Sequence, residues 1–211
     1  MIIMIGNQKG GAGKSTLTLL MANYLVTVRK RSVTVLDLDY QQSLSSKAEK
    51  AKILENEPLY EVLSAGLEHF PSLLELLKKD PRQLVLVDLP GKMDDDALIP
   101  VFEAAALVLC PFAYDEFSVD STFLFSLVVR KINTKVPIVY IPNRVKGSVK
   151  YDTKSEVESA LMQFGQVTIP LYDRIDFQRA TTFHIPLTIA PVIIPVFDGI
   201  YSQHILKKGD A

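Results

Sequence analysis

Gly10, Gly11 and Gly13, followed at once by Lys14, Ser15 and Thr16, bring together the residue types that can hold a phosphate. Glycines let successive backbone N–H groups curl around an anion without side chains in the way. A lysine beside them can reach β- and γ-phosphates, and a serine hydroxyl can ligate Mg²⁺. Such a loop counts only in context, with a strand leading in and a helix leading out. Both are expected here. Met1 to Ile5 read as a short buried strand, and Leu17, Leu20, Met21, Tyr24, Leu25 and Val28 form an apolar stripe at helical spacing. A helix starting near Gly13 adds unpaired N–H groups and the positive end of its dipole. An ordinary glycine-rich turn has no need of Gly-Lys-Ser and both flanking elements together.

Carboxylates are the second group able to do chemistry. The apolar stretch from Ser32 ends in Asp37 and Asp39, and the continuous apolar run Leu84 to Val87 ends in Asp88. Ligands of a parallel α/β sheet bind at the carboxyl ends of its strands, so all three aspartates are expected at the edge that carries the glycine loop. Spaced two apart on a strand, Asp37 and Asp39 point the same way and can face one site. The alternative for either is to cap the next helix or pair with a lysine. An apolar strand ending in aspartate fits a residue that holds Mg²⁺ through water, which is the reading for Asp88. Asp94, Asp95 and Asp96 invite a metal reading too. Mg²⁺ takes few protein ligands beside a nucleotide, however, and these acids precede the apolar run Ala97 to Ile99, so they read as a helix start. His69, His184 and His204 have no ligand spacing, and Cys110, alone in an apolar run, reads as a buried inert thiol.

The run Asn7-Gln8-Lys9-Gly10-Gly11-Ala12-Gly13-Lys14-Ser15-Thr16 departs from the general phosphate-loop pattern, having Gln8 where that pattern wants glycine and a second lysine, Lys9. It resembles the deviant Walker A box of the ParA/MinD superfamily of ATPases, most closely the ParA branch, where Asn-Gln precedes the signature lysine. Asp37-Leu38-Asp39-Tyr40-Gln41 is similar to the family's Asp-x-Asp-Pro-Gln box, with Tyr40 in place of proline. Asp88-Leu89-Pro90-Gly91 is similar to its Asp-x-Pro-Pro, with Gly91 in place of the second proline. The resemblance covers nearly the whole chain and implies roles. Gly10, Gly11, Ala12, Gly13, Lys14, Ser15 and Thr16 would bind the nucleotide phosphates. Asp39 would orient the attacking water, with Ser15, Asp88 and Asp37 serving Mg²⁺. Asn143, ending the run Val136 to Pro142, would read adenine with its side-chain amide. Pro170 would lie next to the adenine. Lys9 would cross a two-fold interface to the phosphates of a partner's ATP.

The elements that must position these residues follow from the same apolar runs. Strands are expected at Met1–Ile5, from Ser32, at Leu84–Asp88, within 104–112, within 136–144 and at 167–170. Between them come helices: the first carries the stripe from Leu17, and a later one the stripe Phe123, Leu124, Leu127, Val128 and Ile132. Residues 43–80 read as two or three helices broken by Pro58, Gly66 and Pro71, with Lys47, Glu49, Lys50 and Lys52 as a solvated face. A helix is expected around Val157 to Phe164, and Val196 to Lys208 resembles the family's closing helix against the sheet. The fold class is therefore α/β: a doubly wound, mostly parallel sheet with helices on both faces, of the P-loop NTPase (Rossmann-like) type. One domain spanning 1–211 is expected.

Composition narrows the function classes. A net charge of −1 gives no global attraction to nucleic acid or anionic membrane. No apolar run reaches the ~18 residues of a membrane span, the longest candidate being cut by Pro186, Pro191 and Pro195. Five residues before the first glycine make no signal peptide, and one cysteine makes no internal disulfide, so a cytoplasmic protein is expected. With no room for an N-terminal DNA-binding helix-turn-helix expected, the chain resembles a small ParA-type form. On the resemblance it is a slow, partner-stimulated ATPase using ATP and Mg²⁺. Its ATP-bound homodimer would partition or position plasmid, mobile-element or chromosomal DNA, with a centromere-binding or other stimulating protein as partner. Non-specific DNA is the further partner class, although residues 144–211 carry a net charge of only +1. The alternatives are a MinD-like membrane-cycling ATPase, for which the tail Ile205 to Ala211 is short and carries an acid, and a metabolic ATP-dependent ligase of the dethiobiotin synthetase type. A nitrogenase-reductase-type electron donor is excluded by the single cysteine.

Overall fold

Strands buried on both faces must be apolar on both faces, and the continuous runs of the sequence become such strands. A computed structural model of the protein describes residues 1–53, 57–80 and 82–206. Its strands, in chain order, are β1 (Ile2–Ile5), β2 (Val33–Asp37), β3 (Glu61–Ser64), β4 (Leu84–Asp88), β5 (Leu107–Phe112), β6 (Ile138–Pro142) and β7 (Gln166–Val167). Every residue of β1, β2, β4, β5 and β6 is buried. The seven strands form one sheet in the order β3-β2-β4-β1-β5-β6-β7, parallel at every pairing. β1 is thus central, with β4 and β5 as its neighbours, and Asp37 lies in register with Asp88 on β4.

Alternate residues of each strand feed two cores. Ile3 and Ile5 pack with α1 (Lys14–Thr27), α2 (Ser43–Ile53) and α7 (Ala190–Ile200) on one face. Ile2 and Met4 pack on the other, with α3 (Phe70–Leu77), α4 (Ile99–Ala104), α5 (Glu116–Ile132) and α6 (Lys154–Leu161). The doubly wound arrangement is therefore the expected one. The helix α1 that carries the first stripe is buried nearly all round, from Leu17 to Leu25. Its buried Asn23 donates to the carbonyls of Thr181 and His184 and accepts from the Tyr60 hydroxyl, so the segment over α1 is tied down without an unpaired amide.

Three expectations are corrected. Residues 43–80 contain a strand as well as helices: β3 is an edge strand with mixed exposure, so it lacks the continuous apolar run that marks a buried one. The stripe assigned to α5 is its buried face only in part: Phe123, Val128 and Ile132 pack partly buried against the core, and the two leucines do not. Ser118, Thr122, Phe125, Ser126 and Val129 are buried, whereas Leu124 and Leu127 are each 54 % exposed. Thr122 and Ser126 bond back to the carbonyls of Ser118 and Thr122, the Ser126 and Tyr140 hydroxyls share a bond, and the Ser118 hydroxyl accepts the Ala113 N–H, so small polar residues line the face that α5 turns to β5. The closing helix begins earlier than expected, with Pro191 in its first turn, where a missing N–H costs little. It continues as a π-helical turn, Tyr201–Ile205. The Lys52 side chain and residues 207–211, on which the solvated face and the tail reading partly rest, lie outside the described residues.

Candidate functional site

The carboxyl ends of β1, β2, β4 and β6 open onto one cleft of about 1140 Å³. Its walls are the glycine loop with the start of α1, residues 39–41, residues 91–96 around Gly91, Asn143 with Arg144, and the segment carrying Asp173, Arg174, Phe177 and Gln178. Gly13 enters α1 with a left-handed φ of 96°, and a β-carbon there would run into the Asn143 amide, so only glycine serves. The first four residues of α1, Lys14 to Leu17, line the cleft.

Lys14 is buried, its ammonium 3.5 Å from the Lys9 carbonyl. Burial lowers its pKa, while the charges of Asp88 and Asp39 pull it back up. Ser15 Oγ donates to Asp88 Oδ2 at 2.6 Å, and Thr18 Oγ1 to Asp88 Oδ1 at 3.2 Å. Burial pushes the Asp88 carboxyl up to about 7, against the Ser15 hydrogen bond and the Lys14 charge, and the neighbouring Asp37 pushes the same way. A hydroxyl and a carboxylate converging beside a phosphate cradle are hard oxygen donors, few in number, as Mg²⁺ next to a nucleotide requires. Among the described residues no group of three or more His, Cys, Asp or Glu side chains could hold a metal by itself, so the phosphates would have to complete the shell.

The two aspartates of β2 separate. Asp39 lies past the strand end, lines the cleft, and closes a turn by accepting the Gln41 N–H at 2.9 Å. Asp37 is fully buried and caps α2: its Oδ2 accepts the N–H groups of Leu44 and Ser45 at 3.0 and 3.1 Å and the Ser45 hydroxyl at 3.3 Å. This is the alternative task weighed for the pair. Tyr40 spans the cleft mouth, its hydroxyl 3.2 Å from Asp95 Oδ2. Asp95 also caps the turn Asp96–Leu98 through the Ala97 N–H, so the acidic cluster is a helix start, as expected.

Other expected residues divide between cleft and surroundings. Gly10, Gly11, Gly13, Lys14, Ser15, Thr16 and Asn143 line the cleft; the buried Ala12 and Pro170 do not, although Leu171 beside Pro170 is tied to Pro142 at the end of β6. The Asn143 Nδ2 donor is engaged by the Ala12 carbonyl at 2.8 Å. Lys9 does not line the cleft. Its ammonium lies over the Phe117 ring, 5.6 Å from the centroid. Arg179 pairs with Asp176 at 3.2 Å, and Arg174 lies in the cleft wall.

Sequence reasoning missed Asn7, Thr18, Arg144 and Phe177. Asn7 is fully buried; it donates to the Pro111 carbonyl and the Thr122 hydroxyl and accepts the Lys9 N–H, fixing the loop to β5 and α5. Its signal was present, since a buried strand rarely runs straight into an asparagine unless that amide has partners.

Residues 3–187 match the family model described as the CobQ/CobB/MinD/ParA nucleotide binding domain. No curated protein sequence matches significantly. Among solved structures, a plasmid partition protein of Borrelia burgdorferi bound to AMPPNP is similar with a TM-score of 0.72 at 21 % identity, over 97 % of this chain and 99 % of that one. An ATP complex of a single-site variant of McdA from Cyanothece has a TM-score of 0.71 at 16 % identity, over 95 % of each chain. The MinD cell division protein of Aquifex aeolicus has 0.69 at 16 %, over 98 % and 99 %. Those likenesses are of fold. With the phosphate cradle, the paired Ser15 and Asp88 and a model matching most of its length, the chain belongs to the CobQ/CobB/MinD/ParA nucleotide-binding domain family.

Proposed function

We propose that the protein is an ATP-binding and hydrolysing switch, cytoplasmic, whose ATP-bound form is a homodimer that partitions or positions DNA with a stimulating partner protein. The observation that carries this reading is the placement of the loop's two lysines. Lys14 is buried at the cradle, whereas Lys9, five residues earlier on the same loop, lies outside the cleft over Phe117. A cation built into the loop but turned off its own cleft is suited to another subunit's phosphates. The neighbouring surface supports the same reading, because Phe117, Leu124 and Leu127 leave an apolar stripe uncovered along α5.

In this mechanism the loop amides and Lys14 bind the β- and γ-phosphates, and Asp39 orients the attacking water. Ser15 and Asp88 would hold Mg²⁺, which supplies charge neutralisation on the phosphates when bound. Lys9 of each subunit reaches the partner's γ-phosphate, and an in-trans cation of this kind is worth ~10³ or more in rate. Loss of the γ-phosphate removes those contacts, and the dimer separates. The DNA role follows from likeness to partition proteins and from family, with little support from surface charge, since Lys150, Lys154 and Arg179 each have an acidic neighbour.

Light scattering tests the switch. The Asp39→Ala variant should be a monomer without nucleotide or with ADP and a dimer with ATP. Lys9→Ala should neither dimerise with ATP nor turn it over above ~10⁻³ of the wild-type rate. If Lys9→Ala dimerises and hydrolyses like the wild type, the in-trans mechanism is wrong.

A further inference from the structure

At the carboxyl end of β6 two consecutive side chains grip two consecutive carbonyls of the phosphate loop. Asn143 Nδ2 donates to the Ala12 carbonyl at 2.8 Å, and an Arg144 guanidinium N–H donates to the Gly11 carbonyl at 2.6 Å. Because each peptide unit is planar and trans, a carbonyl held towards β6 sends the next residue's N–H the opposite way. Pinning Gly11 and Ala12 in this manner turns the Ala12 and Gly13 N–H groups away from the β6 side chains. Gly11 and Gly13, at φ 76° and 96°, supply the left-handed backbone that this ordering of peptide planes needs.

Arg144 is itself strained into place. Its φ is 57°, a conformation that a residue with a β-carbon seldom takes. Its neighbours hold it there: the Asn143 N–H bonds to the Phe112 carbonyl, and Val145 is bonded on both sides, to Leu171 and to Asp173. Backbone strain of this sort persists where the surroundings over-determine it, and it gathers at ligand sites. Arg144 lines the cleft.

We propose that Arg144 is a nucleotide-positioning residue. With Asn143 it holds the carbonyls of the phosphate loop outwards, so that the amides face the phosphates before any nucleotide arrives. Asn143 thereby serves the loop through its donor, in addition to any contact with a base. One guanidinium N–H makes this bond, from a planar group that is pre-organised for it and loses less side-chain freedom than a lysine ammonium would. The inference rests on the nucleotide-binding reading of the cleft, and on neither ATP turnover nor dimer formation.

Calorimetric titration of Mg·ADP into wild type, Arg144→Lys and Arg144→Met tests it, with amide NMR spectra of each nucleotide-free protein. Both variants should weaken ADP binding roughly two- to tenfold, the net worth of a hydrogen bond from an exposed side chain. The Ala12 and Gly13 amide resonances should shift or broaden in both variants before nucleotide is added, while the nucleotide-free melting temperature stays at the wild-type value. Wild-type affinity in Arg144→Met overturns the proposal. So does full affinity in Arg144→Lys, which would make the residue a bare charge. A wild type that fails to bind ADP overturns the nucleotide reading of the cleft itself, and only that outcome involves the wild-type titration.

Discussion

Asp37 and Asp39 differ by two positions and by everything that matters to a carboxylate. Asp37 is consumed by the first turn of α2, which hands it two N–H groups and a hydroxyl; Asp39, past the end of β2, faces the cleft. Capping by an aspartate is worth about 0.5–2 kcal/mol. Asp37→Ala should therefore lose about that much stability in urea, and somewhat more because the capped amides are buried. Asp37→Asn keeps one oxygen for the cap and removes the like charge in register with Asp88, but sets an NH2 donor against the Asp39 N–H that Oδ1 accepts, so it should lose about 1–3 kcal/mol and retain ATP turnover of the same order. If Asp37→Asn folds normally and turnover collapses, the charge serves Mg²⁺ after all. The sequence could name both aspartates and both tasks. It could not divide them, because the division depends on where β2 stops and on how the turn at 39–42 swings α2 beneath the strand end.

At the scale of elements, what the sequence makes plain is burial on both faces. β1, β2, β4, β5 and β6 are apolar runs, interrupted only by Thr34 in β2 before the aspartates that end β2 and β4, and were legible as such, and with them the edge on which the loop and the aspartates gather. β3 was not legible, because an edge strand with half its residues exposed resembles the helical surroundings in which it sits. The orientation of α5 was hidden for the opposite reason. Apolar residues mark a buried face only when nothing else can fill it. Here Thr122 and Ser126 satisfy their hydroxyls within the helix, the Ser118 hydroxyl accepts the Ala113 N–H, and these small side chains let the backbone come close. The leucines are left outside. Two substitutions separate these faces. Ser126→Leu should cost about 1–3 kcal/mol by overpacking against Tyr140. Leu124→Glu with Leu127→Glu should change monomer stability by about 0.5 kcal/mol or less, yet abolish ATP-dependent dimerisation. Denaturation and light scattering on the same samples read both effects. A double glutamate variant that still dimerises with ATP would place the interface elsewhere.

For the whole molecule, the sheet acts as a frame and the cleft as the place where its parts can be pulled together. The phosphate loop ends β1 and is tied to β5 and α5 by Asn7 and to β6 by Asn143 and Arg144. Ser15 and Thr18 tie α1 to β4, and Tyr40 ties the turn after β2 to Asp95. A ligand held by the loop is therefore linked to strands on both sides of β1, and its binding energy should be felt as global stability. At a hundred times Kd a ligand that binds only the folded form adds about 2.7 kcal/mol, or roughly 5–10 °C in a chain of this size. ADP and ATP should differ in kind as well as amount. With ADP the gain is that of one site in one subunit, so the melting temperature of Asp39→Ala should be the same at any protein concentration. In the proposed ATP dimer each subunit also gains its partner's Lys9, so mass action should make the melting temperature climb as protein is added. Calorimetric scans across a hundredfold range of protein concentration, with saturating ADP or ATP, distinguish the two. A melting temperature in ATP that ignores protein concentration would confine both lysines of the loop to their own subunit, leaving a nucleotide-binding fold whose stability changes with ATP but whose assembly does not.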